Sequence, residues 1–133
     1  MPFYGVFDFL DRSGDRRFGK MADALGPMIF KCKPEENYEL WDSVCPVSRV
    51  HADAPPFFVI QGSHDSLVFS EEADRFVRLL RETSRSPVLH AELPGAQHAF
   101  EVFHSPRSAH AVQAAAAFLE WVHARSRGPR AAA

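Results

Sequence analysis

Hydrophobic and polar positions along the chain alternate in blocks that predict strands and helices in turn. The opening residues MPFYGVFDF form a dense aromatic and β-branched run suited to a strand. Residues 11–37 break that regularity. They mix charges, glycines, Pro27 and Pro34 around the apolar patch Leu25, Met28, Ile29 and Phe30, and predict an irregular excursion with one short helix. From Pro34 to Val44 a short helix is expected, with Pro34 in the first turn, Glu35 and Glu36 toward the positive dipole end, and Leu40, Trp41 and Val44 on one side.

PPFFVI, at 55–60, is apolar at consecutive positions, as required of a parallel strand covered on both faces. A helix follows, capped by Ser70, with Glu71 and Glu72 in its first turn and Ala73, Phe76, Val77 and Leu80 on one stripe. VLHAEL, at 88–93, predicts a second strand. Ser105-Pro106 opens a last helix to about Arg125, with Val112, Ala115, Ala116, Leu119 and Val122 facing inward. The tail SRGPRAAA carries Gly128 and Pro129, which end the helix and predict a disordered segment over 127–133. Strand, helix, strand and helix in that order imply right-handed crossovers and parallel pairing, hence an α/β fold.

The composition narrows the possible partners. At 133 residues and 46% hydrophobic, the chain has the material for one domain or part of one. A formal charge of −2, from 15 Lys plus Arg against 17 Asp plus Glu, gives no electrostatic reason to expect nucleic acid or an anionic membrane. The N-terminal apolar run is too short for a secretory signal or a membrane span and contains Asp8, so a cytoplasmic location is expected. Cys32 and Cys45 lie thirteen apart, with no CxxC and no adjacent histidine, and read as reduced thiols. His64, His104 and His110 match no standard ligand spacing, so neither a metal nor another cofactor is implied.

Two residues carry candidate chemistry. Asp65 follows the strand at 55–60 and His98 follows the strand at 88–93, each by a short loop, so parallel pairing brings both to the same sheet edge. Their separation, 98 − 65 = 33 residues, accommodates a loop, a crossover helix, a strand and a second loop. A carboxylate that accepts from imidazole Nδ1–H fixes the tautomer a general base needs. The competing readings are local: a turn carboxylate at 65, and at 98 a loop histidine bonded to neighbouring backbone.

The stretches GSHDSL at 62–67, LPGAQHAF at 93–100, YGVFDF at 4–9 and WDSVCPVSRV at 41–50 together resemble the C-terminal portion of an α/β-hydrolase of the esterase and lipase branch. Cys45 stands where that family often has a serine. The resemblance implies a partial α/β-hydrolase fold over residues 1–126, of about three parallel strands with flanking helices, in which 11–37 form a cap-like excursion. Met21, Leu25, Met28, Ile29 and Phe30 could then line an acyl pocket, with ordinary packing as the equal alternative. It also implies a Ser-Asp-His triad with Asp65 as the acid, His98 as the base and a small-molecule ester as substrate.

The family's nucleophile sits on G-x-S-x-G, and none of the serines here is flanked by glycines two residues away on both sides; an HGGG-type oxyanion segment is also absent from these residues. The expectation is therefore a fragment that is inactive alone. Two alternatives stand beside it: a noncatalytic remnant or interaction module that associates with itself or a partner through an exposed strand edge, and one half of a split enzyme whose other chain supplies the N-terminal half.

Overall fold

The computed structural model describes residues 1–14 and 26–127. Its centre is a parallel pair of strands, β1 (Phe57–Gly62) and β2 (Val88–Leu93), in register from Phe57 opposite Val88 to Gly62 opposite Leu93. Three α-helices accompany them among the described residues, α1 (Tyr38–Val44), α2 (Ser70–Thr83) and α3 (Pro106–Ser126), of which α2 and α3 pack on the strands.

β1 is buried along almost its whole length because each face has its own helix. Phe57 and Val59 face the α2 side, where Phe7, Ala54, Ala73, Phe76, Val77 and Leu80 complete one core. Phe58 and Ile60 face the other side and pack with Ala115 and Phe118 of α3. Alternate residues thus serve opposite layers, and so the strand reads as a continuous apolar run. On the α2 side the Phe7 and Phe76 rings stack at 4.2 Å, and Phe57 meets Phe76 edge-on at 5.7 Å.

The predicted first strand contributes one bridge, from Phe3 to Ile60, instead of a full ladder. Tyr4 N–H donates to Ile60 C=O at 2.8 Å, and Ile60 N–H donates to Pro2 C=O at 3.0 Å. Tyr4 then takes φ = 39°, a left-handed conformation that turns the chain off the sheet line. Beyond it, the backbone N–H groups of Phe7 and Asp8 donate to the buried Glu72 carboxylate at 2.6 and 2.8 Å. A side chain of α2 thus takes donors that strand pairing would have used.

The helices differ from expectation in three places. The helix expected from Pro34 starts at Tyr38, because Asn37 caps it and residues 33–36 form a turn closed by Glu36 N–H to Lys33 C=O. Of its proposed inward side only Trp41 is buried; Leu40 and Val44 are exposed. Phe69, and not Ser70, occupies the cap position of α2. In α3 the cap at Ser105 is as expected, with a reciprocal Ser105 and Ser108 box, but the inward stripe is Ser108, Ala111, Ala115 and Phe118. Val112, Ala116 and Leu119 point outward.

Within the excursion, Gly26–Phe30 form a single π-helical turn in which Met28 and Ile29 are exposed, while Phe30 packs on Trp41 at 4.2 Å. Met21, Leu25 and the rest of 15–25, together with 128–133 of the tail, lie outside the described residues. Both cysteines are free thiols. No described helix is long and apolar enough to cross a membrane.

Candidate active site

The two loops that leave the carboxyl ends of β1 and β2 are stitched to each other. Ser63 N–H donates to Leu93 C=O, His64 N–H to Ala96 C=O, and Gly95 N–H to the Ser63 hydroxyl, at 3.1, 3.0 and 2.9 Å. The second loop turns through Pro94-Gly95, closed by Ala96 N–H to Leu93 C=O, with Gly95 at φ = 68°. Proline followed by a positive-φ glycine is the residue pair a type II turn demands. Ala99, at φ = 56°, reverses the chain again directly after His98.

Asp65 is buried, its side chain fully so, and every lone-pair direction of its carboxylate is addressed. Oδ1 accepts from the backbone N–H groups of Leu67 and Val68, both at 2.9 Å. Oδ2 accepts from Gln61 Nε2 at 3.0 Å and lies 2.8 Å from His98 Nδ1. Gln61 also donates to Val68 C=O at 2.8 Å, so this amide fixes both the acid and the turn around it. A carboxylate held this way accepts the Nδ1–H of a neutral imidazole, which leaves Nε2 as the basic nitrogen. The His98 side chain is 28% exposed, and among the described residues Nε2 has no hydrogen-bond partner.

Of the local alternatives for these two residues, the one for Asp65 is met in part and the one for His98 is not. Asp65 does organise its own turn, and it does so while presenting its second oxygen to His98. His98 is bonded to Asp65 and not to neighbouring backbone.

Three contributors are not visible in the pattern of the sequence. Gln61 is a lone amide at the end of an apolar strand, four residues before Asp65, and that anomaly was its only signal. Tyr4 packs its ring against His98, with centroids 4.3 Å apart, and donates its hydroxyl to Glu101. That hydrogen bond, followed by burial, pushes the Tyr4 phenol up to about 12. Nothing in the spacing of residues 4, 98 and 101 announces their meeting.

Other candidate chemistry does not converge here. Among the described residues no three His, Cys, Asp or Glu side chains gather into a metal-binding group, and His64, His104 and His110 are each exposed. A groove of about 450 Å³ lies on the α2 side of the sheet, lined by residues including Gly5, Phe7, Val50 and Leu80, and neither Asp65 nor His98 borders it.

Comparison with known proteins places the chain in a family. The family model described as BD-FAE matches residues 1–80. A probable carboxylic ester hydrolase, LipM, of Mycobacterium tuberculosis is 44% identical over 124 residues, which are 93% of this chain and 28% of LipM. Esterase LipC of the same organism is 40% identical over 93% of this chain and 30% of its own length. The chain therefore spans less than a third of these relatives. Among solved structures, a truncated carbohydrate esterase from gut microbiota superposes with TM-score 0.66 at 17% identity, over 91% of this chain and 41% of that one. The propionate-bound esterase Est2 of Thermogutta terrifontis superposes with TM-score 0.65 at 21% identity, over 90% and 41%. At those identities the likeness is one of fold. With the family model matched over more than half of its residues, the chain belongs to the BD-FAE family and carries part of an α/β-hydrolase fold of the esterase type.

Proposed function

We propose that this chain contributes the base and its orienting acid to a serine-dependent carboxylic ester hydrolase. In this reading His98 Nε2 takes the proton of a serine hydroxyl as that oxygen bonds to the ester carbonyl carbon, and returns the proton to the departing alcohol. Water then repeats the sequence on the acyl-enzyme. Asp65 holds Nδ1–H and stabilises the imidazolium formed in each half of the cycle. The observation that carries the reading is the 2.8 Å contact between His98 Nδ1 and Asp65 Oδ2, made by loops at the carboxyl ends of two parallel strands with Nε2 left free. The names of LipM and LipC support an ester as substrate.

No serine among these 133 residues lies in a G-x-S-x-G motif and no HGGG-type segment occurs, so the nucleophile and the oxyanion donors have no motif-borne candidate here. The reading assigns them to polypeptide outside this sequence, whether joined to it or supplied by a second chain. Each missing oxyanion donor alone is worth on the order of 10² to 10³ in rate, so the chain by itself is expected to turn over no ester. The test is to fuse or co-express it with the part of LipM that this chain does not match and follow p-nitrophenyl ester hydrolysis and fluorophosphonate labelling. Activity that disappears in His98→Ala is expected; full activity in that variant would refute the assignment.

One observation favours a second reading, an interaction module. Beside β1, the N-terminal segment pairs at a single bridge and then leaves the sheet, so its strand edge is short and incompletely used. A partner or second copy could add a strand there. Size-exclusion chromatography of the isolated chain distinguishes the two, since a concentration-independent monomer removes the second.

A further inference from the structure

Asp65 fixes one atom of the imidazole, and a ring held at one atom can still turn about the bond that carries it. His98 is partly exposed, so bulk packing does not prevent that turn. The contact that opposes it comes from the far end of the sequence. Tyr4 meets the imidazole with its backbone at φ = 39°, a conformation that non-glycine residues avoid unless their surroundings impose it. Those surroundings are visible. The Tyr4 N–H is bonded to Ile60, its ring meets Phe100 edge-on at 6.2 Å and Phe3 edge-on at 6.4 Å, and its hydroxyl donates to Glu101. Glu101 stands three residues after His98, in the short helical turn Phe100–Val102 that follows the αL residue Ala99. Its other oxygen, Oε2, is buried and without a hydrogen-bond partner, so the carboxylate is committed to the phenol.

We propose that Tyr4 and Glu101 are positioning residues for His98, the phenol ring bracing the imidazole from one side and the Glu101 carboxylate holding the phenol. The imidazole is thereby fixed by two independent devices, Asp65 at Nδ1 and Tyr4 against the ring, with Nε2 alone left unengaged. Tyr4 and Glu101 exchange no proton with a substrate in this scheme. Their work is to keep a single tautomer and a single ring orientation. The catalytic value of that work rests on the reading of His98 as a base, but the bracing itself is a property of this chain.

The experiment reads the imidazole directly. Long-range ¹H–¹⁵N correlation spectra of the ¹⁵N-labelled chain are recorded at about pH 8, where an ordinary imidazole is neutral, with His98 assigned by its loss in His98→Gln. The wild type is expected to show the Nδ1-protonated tautomer and a persistent Nδ1–H signal. Tyr4→Leu is expected to lose that signal and to show averaged ring nitrogens; Tyr4→Phe and Glu101→Gln are expected to weaken it. Val77→Ala, in the separate core on the α2 side of the sheet, leaves it in place and controls for a general loosening. A folded Tyr4→Leu chain with an unchanged tautomer and Nδ1–H signal overturns the proposal. If circular dichroism shows that variant unfolded, unchanged spectra in both Tyr4→Phe and Glu101→Gln overturn it equally. None of these outcomes depends on whether any ester is hydrolysed.

Discussion

Gly62 lies so close beneath Ala96 that a Cβ added to it would sit 2.4 Å from the Ala96 carbonyl oxygen. That oxygen accepts the His64 N–H. The last residue of β1 is therefore the point at which the acid loop and the histidine loop touch backbone to backbone, and only glycine permits the approach.

Gly62→Ala should push the loops apart. The expected cost is about 1–3 kcal/mol in urea unfolding, the range for overpacking a close contact, together with loss of the His98 Nδ1–H signal. A variant with wild-type stability and spectrum would mean that the loops yield freely.

The outward turn of α3 can be tested by a pair of neighbours. Phe118 is 7% exposed and meets Phe58 at 5.5 Å, whereas Leu119 is 53% exposed. Phe118→Ala should cost about 3–5 kcal/mol. Leu119→Ala should stay within about 1 kcal/mol, measured by the same urea titration.

Tyr4 should be the late tyrosine in an alkaline absorbance titration. Its phenol is pushed up to about 12, first by the hydrogen bond to Glu101 and then by burial. A group whose pKa is raised in the folded state stabilises that state below its unfolded value, and the contribution is lost as pH climbs through about 12. Glu101→Gln should move this ionisation to lower pH.

Asp8 predicts the acid limb. Burial opposes its ionisation, but hydrogen bonds from the Arg12 side chain and backbone outweigh that and hold the carboxyl below the ordinary range. A lowered pKa contributes stability above the unfolded value and loses it as pH falls through the folded one. Urea midpoints should therefore drop on acidification below about pH 4, and Asp8→Asn should flatten that slope.

The thiols should separate cleanly. Cys45 is fully buried, its thiol pushed up chiefly by that burial, and its Sγ lies 3.2 Å from the Trp41 carbonyl. Cys32 is only partly covered. One equivalent of Ellman reagent should react in the native chain and a second only in denaturant.

How much of this was legible beforehand depended on how local each cause was. The stripe Ala73, Phe76, Val77 and Leu80 could be read because the opposite face of α2 is charged, so one rotation alone buries apolar area. α3 offered no such contrast. Its alanines fit either side, and Val112, Leu119 and Trp121 stand exposed, so only the partner surface of Phe58 and Ile60 decides which face turns in. The meeting of Asp65 and His98 was readable from topology, since two parallel strands deliver their loops to one edge. Gln61, Tyr4 and Glu101 were not, because their roles exist only once residues far apart in sequence have been folded together.

The Glu72 carboxylate, by gripping the backbone at Phe7 and Asp8, moors the opening segment to the first turn of α2. Three residues upstream of that mooring stands Tyr4. A helix on one side of the sheet and an imidazole at its rim are thus joined by a short span of main chain, and a disturbance at Glu72 has a direct route to the geometry of His98.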